Sequence, residues 1–207
     1  MLVLEAGDGA AQRLAAALDA APVAAVVITA AAGRVLDAAS AAPLVAAAQN
    51  AGAAAQISGD ARLARTLKAD GIHLPASATL EDDFSAAREL ISPRFIVGVD
   101  AGNSRHDAMT LGEAGADYIG FSLPETIADR EAAATERLEL VAWWAEIFEV
   151  PCVAFDVATI DEARVLAEAG VDFVAIRVVS GTTPAEVRDR VAAFGEAVAA
   201  AHASANS

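Results

Sequence analysis

GEAGADYIGF, residues 112–121, returns as AEAGVDFVAI at residues 167–176. Gly115 and Gly170 stand where a helix must stop, because glycine takes the left-handed conformation after a last turn without strain. An aspartate follows two residues on, and then an apolar run, Tyr118 to Phe121 and Phe173 to Ile176. Consecutive apolar residues mark a strand buried on both faces, as in a parallel sheet covered by helices. A weaker third copy reads Leu67-Lys68-Ala69-Asp70-Gly71-Ile72-His73-Leu74. Looser echoes are Ala51-Gly52-Ala53 and Glu149-Val150-Pro151, each before a strand-like run. The repeated phrase is the joint between a helix and the next buried strand.

Outward from these joints, strand and helix patterns alternate along the whole chain. Strands are expected near 2–5, 23–29, 53–58, 70–74, 95–99, 117–121, 151–155 and 171–177. Helices are expected near 9–20, 37–50, 61–68, 80–91, 104–114, 132–148, 159–169 and 184–202. Thr159 with Glu162 and Thr183 with Glu186 have capping-box spacing, the second with Pro184 in the first turn. Eight strands, each followed by a helix over short loops, predict an α/β fold: a single-domain (β/α)8 TIM barrel spanning 1–207, with a frayed tail at 203–207. An open doubly wound sheet is the alternative, but Gly7-Asp8-Gly9 is a weak match to its Gly-rich first turn.

The 207 residues carry a net charge of −15 and are 56% hydrophobic, much of it alanine. So acidic a surface argues against nucleic acid and anionic membrane as partners. Val23 to Ala32 is too short to span a bilayer, and MLVLEAGDGA lacks the features of a signal peptide. The single cysteine precludes an internal disulfide and fits a reducing compartment. The expectation is a cytoplasmic protein with a small-molecule ligand. Trp143, Trp144 and Phe148 mark helix packing together with a self-associating surface, hence a homodimer.

In a barrel the chemistry comes from the carboxyl ends of the strands. These offer Glu5 and Asp8; Thr29; Ser58-Gly59-Asp60; His73; Asp100 and Asn103; Ser122; Asp156; and Arg177 with Gly181. Asp60, Asp100 and Asp156 either hold Mg2+ through oxygen ligands or cap the helices that follow them, capping being the commoner use of aspartate there. His73 is a candidate general acid or base, or a satisfied structural group. Arg177 meets a phosphate or a carboxylate inside the barrel. The loop 122–130 (SLPETIADR) is a longer polar connection at the same face. His73, His106 and His202 are too scattered in sequence for a zinc site.

Ala69-Asp70-Gly71-Ile72-His73-Leu74 and Gly115-Ala116-Asp117-Tyr118-Ile119-Gly120-Phe121 resemble the thiamine phosphate synthase and thiazole tautomerase (TenI-like) family. Phe95 to Val99 and Val150 to Ala154 match its fifth and seventh strands. The resemblance covers roughly residues 40–180 and implies the same barrel. It also implies Mg2+-dependent joining of a hydroxymethylpyrimidine diphosphate to a thiazole phosphate, with release of diphosphate.

From the strand-end inventory, His73 and Asp100 are the candidate catalytic groups, as acid and base for a cationic or neutral substrate of an unrelated barrel enzyme. Ser58, Asn103, Ser122, Arg177 and Gly181 are the candidate substrate contacts. In a synthase with a drifted site, Asp60, Asp100 and Asp156 would hold Mg2+ while Arg177 takes a phosphate. Several family positions are changed. The cation pair after strand two falls at Ile28-Thr29-Ala30, the second metal aspartate at Ala78, and the Gly-Gly phosphate site at Asp156-Val157. The sequence therefore leads to the expectation of a catalytically degenerate member of this family in thiamine metabolism. The alternatives are an active synthase whose site has drifted, and an unrelated barrel enzyme for a cationic or neutral small molecule.

Overall fold

The joints find their physical reason in the computed structural model, which describes residues 1–91, 94–124 and 126–205. After helices α5 (Arg105–Glu113) and α7 (Ile160–Glu168), Gly115 and Gly170 take φ of 91° and 95°. In the third copy Lys68 takes that place at φ 54°, after α3 (Ala61–Leu67). The aspartate that follows then ties two strands together. Asp70, Asp117 and Asp172 stand just before β4 (Gly71–Leu74), β6 (Tyr118–Phe121) and β8 (Phe173–Val174). Each accepts a backbone N–H from the preceding strand: Ala55 in β3 (Ala54–Ser58) at 2.7 Å, Val97 in β5 (Ile96–Asp100) at 2.7 Å, and Cys152 in β7 (Cys152–Ala154) at 2.8 Å. The phrase thus stops a helix and satisfies an N–H in the first two residues of a neighbouring strand, which would otherwise be an orphan donor.

With β1 (Leu2–Glu5) and β2 (Ala25–Thr29), the strands pair in parallel in the order β8-β7-β6-β5-β4-β3-β2-β1-β9. The eighth strand, expected as one run, is split. β8 pairs with β7, and β9 (Ile176–Val178) pairs with β1. Ala175 between them donates to the Ala154 carbonyl at 2.9 Å, and the Ile176 N–H donates to the Met1 carbonyl at 3.1 Å. The eighth strand therefore bridges the two ends of the sheet and leaves a near-closed parallel barrel, which removes exposed edges.

The remaining helices are α1 (Ala10–Ala20), α2 (Ala38–Asn50), α4 (Leu80–Leu90), α6 (Arg130–Ile147) and α8 (Pro184–Ala205). The result is a single-domain (β/α)8 barrel. The Thr183–Glu186 capping box forms in full, with bonds exchanged at 2.8 and 3.3 Å. At α7 the Glu162 N–H donates to Thr159 Oγ1 at 3.1 Å, whereas the Glu162 carboxylate accepts from the Ala158 N–H at 2.8 Å, one residue before the cap. The α8 helix continues through 203–205, part of the expected frayed tail; residues 206 and 207 lie outside the described residues.

Two apolar regions result. Outward-facing Leu2, Leu4, Val26, Ile28, Ile57, Ile72, Val97 and Ile119 pack with the helices. Inward-facing Val3, Val27, Tyr118, Val153, Phe155 and Ala175 form a second cluster inside the barrel. Glycines make room there: a Cβ on Gly98 would lie 1.8 Å from the Tyr118 ring, and one on Gly120 2.6 Å from Phe155. Trp144 is a core residue, stacked 4.0 Å from Phe148 with its Nε1–H on the Val150 carbonyl at 2.7 Å. Half-buried Trp143 lies under the Arg105 guanidinium, 4.7 Å away.

Candidate active site

Strand alternation decides which side chains reach the barrel interior, and beside the apolar cluster there His73, Gln56 and the Tyr118 hydroxyl form a polar chain. His73 on β4 is 6% exposed, and its Nδ1 lies 2.9 Å from the Tyr118 hydroxyl. That hydroxyl donates to Gln56 Oε1 at 2.8 Å. A phenol has one proton to give, so Tyr118 accepts from His73, which places the imidazole proton on Nδ1 and leaves Nε2 with a free lone pair. Burial, assisted by the charge of Arg177, lowers the His73 pKa from 6.5 to about 4, so the ring is neutral near pH 7. Burial, assisted by Asp100, pushes the Tyr118 phenol well above its ordinary value.

These shifts give a pH prediction. Between about pH 4 and 6.5 an unfolded chain binds a proton at His73 that the folded chain refuses. The stability is fully present above 6.5 and is lost as pH falls toward 4, by roughly 3 kcal/mol at 1.36 kcal/mol per unit. Asp100 works in the opposite sense, because its raised pKa lets the folded chain keep a proton that the unfolded one releases. Comparison with His73→Gln isolates the histidine. The fall in melting temperature between pH 7 and pH 5 should be smaller in the variant, and an equal fall would rule out His73 as its source.

At the upper rim, Asp100 is 7% exposed and accepts the Gly102 N–H at 2.9 Å. Burial raises its pKa, against hydrogen bonds from Gly102 and buried Ser122 and with the added charge of Asp156. Asp156 follows β7 in a left-handed conformation, φ 56°, an unusual one for a residue with a side chain. Its Oδ1 lies 3.3 Å from Arg177, and its Oδ2 accepts the Leu123 N–H at 3.4 Å.

The structure thus brings His73, Asp100, Ser122, Asp156 and Arg177 together, with half-buried Ser58 paired in register beside His73. It does not bring Asp60 with them: that exposed carboxylate caps α3 by accepting the Leu63 N–H at 2.8 Å. Asn103 and Gly181 are exposed and make no side-chain hydrogen bond or ion pair with another described residue.

Sequence reasoning missed a convergence of arginines. Four guanidinium groups surround the turn Phe155-Asp156-Val157. Arg177 meets the Asp156 carboxylate, and Arg130 donates to the Asp156 carbonyl at 2.7 Å. Arg190 donates to the Val157 carbonyl at 3.4 Å, and Arg137 to the Phe155 carbonyl and to Glu162. Arg137 is 1% exposed; burial lowers its pKa while Glu162 raises it. A signal was available, because Arg137 shares the buried i, i+3, i+4, i+7 face of α6 with Leu140, Val141 and Trp144. A cation on such a face requires a partner inside.

The expected Mg2+ carboxylates do not assemble. Among the described residues, the group of three metal-ligating side chains within 4.8 Å of one another is Glu81, His106 and Asp107, not Asp60, Asp100 and Asp156. The histidines are far apart in sequence, yet one of them, His106, is grouped with carboxylates from two helices. A largely apolar cavity of about 690 Å3, lined by Val23, Phe173, Val191 and Phe194, opens around β8 and α8 and takes in none of the site residues. Among the described residues no helix is long and apolar enough to cross a membrane.

The family model for thiamine monophosphate synthase (TMP-TENI) matches residues 2–180. The thiamine-phosphate synthase of Erythrobacter litoralis is 43% identical over 144 residues, 67% of this chain and 64% of that protein. Those of Rhodospirillum centenum and Hyphomonas neptunium are 40% identical over 107 and 137 residues, covering 52% and 65% of this chain. These matches span 64%, 50% and 60% of the relatives' own lengths. Among solved structures, thiamine phosphate pyrophosphorylase from Pyrococcus furiosus superposes with a TM-score of 0.76 at 20% identity, covering 97% of this chain and 96% of that one. Tryptophan synthase from Mycobacterium tuberculosis superposes at 0.73 and 13% identity, covering 95% and 91%. At these identities the superpositions report the barrel alone. The match over residues 2–180 takes in every strand of that barrel, and the chain belongs to the thiamine monophosphate synthase family.

Proposed function

We propose that this chain is a working thiamine-phosphate synthase, joining a hydroxymethylpyrimidine diphosphate to a thiazole phosphate at the barrel mouth. The observation that carries the reading is the arginine cluster at the β7–α7 turn. Reaction of two phosphorylated partners requires concentrated positive charge in an acidic protein, and the departing diphosphate accumulates charge as its bond breaks. Arg177 and Arg130 have side chains 46% and 45% exposed, so both can turn toward an incoming phosphate. Arg137 and Arg190 fix the carbonyls of the same turn, which holds the anion-facing side rigid.

A phosphate entering here displaces the Asp156 carboxylate from Arg177. Burial raises the Asp100 pKa, which lowers the cost of protonating it beside an incoming anion. The His73 Nε2 lone pair accepts from no donor among the described residues and suits an N–H group of a heterocycle. Among the described residues, Asp60, Asp100 and Asp156 do not gather into one group of ligands, so the Mg2+ of the family is given no step at strands three to seven.

A second reading, a degenerate site, has its own observation: Asp156 already places a carboxylate 3.3 Å from Arg177, where a substrate phosphate would sit. The discriminating experiment is formation of thiamine phosphate from both precursors with a divalent cation. Turnover of the order of 1 s−1 or faster supports the synthase. Absence of product, together with absence of calorimetric binding of either precursor, overturns it in favour of the degenerate reading.

A further inference from the structure

Helices α4 and α5 start directly after β4 and β5, so their first turns stand on the face where the active site is built. Glu81 is in the first turn of α4, and His106 and Asp107 are in the first turn of α5. We propose that Glu81, His106 and Asp107 form a divalent-cation site of the Zn2+ or Mn2+ class, joining α4 to α5 at the rim of the barrel.

The ligand atoms of the three side chains lie within 4.8 Å of one another. Ligands at about 2.0–2.2 Å from a shared ion stand about 3–4 Å apart, so small side-chain rotations close the set. None of the three side chains hydrogen-bonds or ion-pairs with another described residue, which leaves their lone pairs available. Two neighbouring charges are otherwise engaged. Arg105 is turned onto Trp143, 4.7 Å away, and Asp83 accepts from the Ser77 and Thr79 hydroxyls at 3.2 and 3.0 Å.

The simpler account is that Glu81 and Asp107 only complement two helix N-termini, where carboxylates are favourable. That account leaves unexplained why an imidazole is grouped with the two carboxylates, its nitrogen within 4.8 Å of their oxygens. An imidazole grouped with two carboxylates is a set for a borderline cation, whereas Mg2+ demands near-octahedral oxygen coordination. Three protein ligands leave coordination positions open to water or to an oxygen of a phosphorylated ligand. The inference concerns binding and stands whether or not the chain is a synthase.

The test is calorimetric titration of the full chain, after treatment with chelator, with ZnCl2, MnCl2 and MgCl2, and with melting temperatures in parallel. The expected result is one equivalent of Zn2+ or Mn2+, bound at least about tenfold more tightly than Mg2+. Glu81→Gln, His106→Gln and Asp107→Asn should each weaken it at least about tenfold. The three positions are exposed or half-buried, so the variants retain the fold. The metal should raise the melting temperature of the wild type and not that of His106→Gln. Asp60→Asn, which keeps an oxygen to cap α3 and lies outside the group, should bind as the wild type does. No binding by the wild type, preference for Mg2+, or binding that survives all three substitutions would each overturn the proposal.

Discussion

A chain with alanine at position 98 is expected to lose most of its stability. The added Cβ would lie 1.8, 2.0 and 2.4 Å from three atoms of the Tyr118 ring, distances that no packing tolerates. The ring has nowhere to go, because its hydroxyl is held at 2.9 Å by His73 and at 2.8 Å by Gln56 inside the barrel. Relief therefore requires moving β5 or breaking two buried hydrogen bonds. Overpacking costs about 1–3 kcal/mol, and each buried polar group left unpaired costs about 1–3 kcal/mol more. The sum is comparable with the whole stability of a small domain, about 5–15 kcal/mol. Urea unfolding should show at least about 3 kcal/mol lost in Gly98→Ala. A second substitution, Tyr118→Val, should recover part of that loss by emptying the space. A single variant within about 1 kcal/mol of wild type would mean that Tyr118 does not lie over Gly98 in solution.

Gly98 also illustrates what a sequence does and does not disclose. The strands were legible because each is a short apolar run beside a glycine or proline, and a two-faced burial pattern leaves little else for such runs to be. The turn chemistry was legible at Thr159 and Thr183, where spacing alone determines the hydrogen bonds. The role of Asp70, Asp117 and Asp172 was not, although the repeat put all three on view. Each binds a strand about 20 positions away or fewer, and only pairing register reveals that partner. The break at Ala175 was hidden for a related reason: the run from Val171 to Arg177 looks continuous until closure requires one strand to serve two neighbours.

The site was legible by position and not by partnership. His73, Asp100, Ser122, Asp156 and Arg177 stand at strand ends, which the barrel brings to one face. Asp60 stands beside a strand end too, but the α3 N–H groups claim it, and sequence left that choice open. Arginines from α6, β9 and α8 meet at one turn through tertiary packing that no local spacing encodes. The triad of Glu81, His106 and Asp107 was missed in the same way, because its members belong to two helices.

Arg177→Gln is expected to impair the reaction through the phosphate-bearing substrate. A charge-assisted hydrogen bond is worth roughly 1.5–3 kcal/mol, which is about 10- to 150-fold in kcat/KM. Arg130→Gln should show a smaller loss, since Arg130 also holds the Asp156 carbonyl at 2.7 Å and lies 3.6 Å from Glu162. Because both arginines meet at Asp156, their losses should not add. Asp156→Asn separates the two functional readings. In a working site the Asp156 carboxylate competes with substrate for Arg177, so its neutralisation should lower KM for the thiazole phosphate several-fold. In a degenerate site the same change creates a phosphate-binding guanidinium without turnover, detectable by calorimetry but silent in the assay. If Arg177→Gln leaves KM for the thiazole phosphate unchanged, the phosphate is bound elsewhere. The arginine cluster would then serve only to anchor the β7–α7 turn.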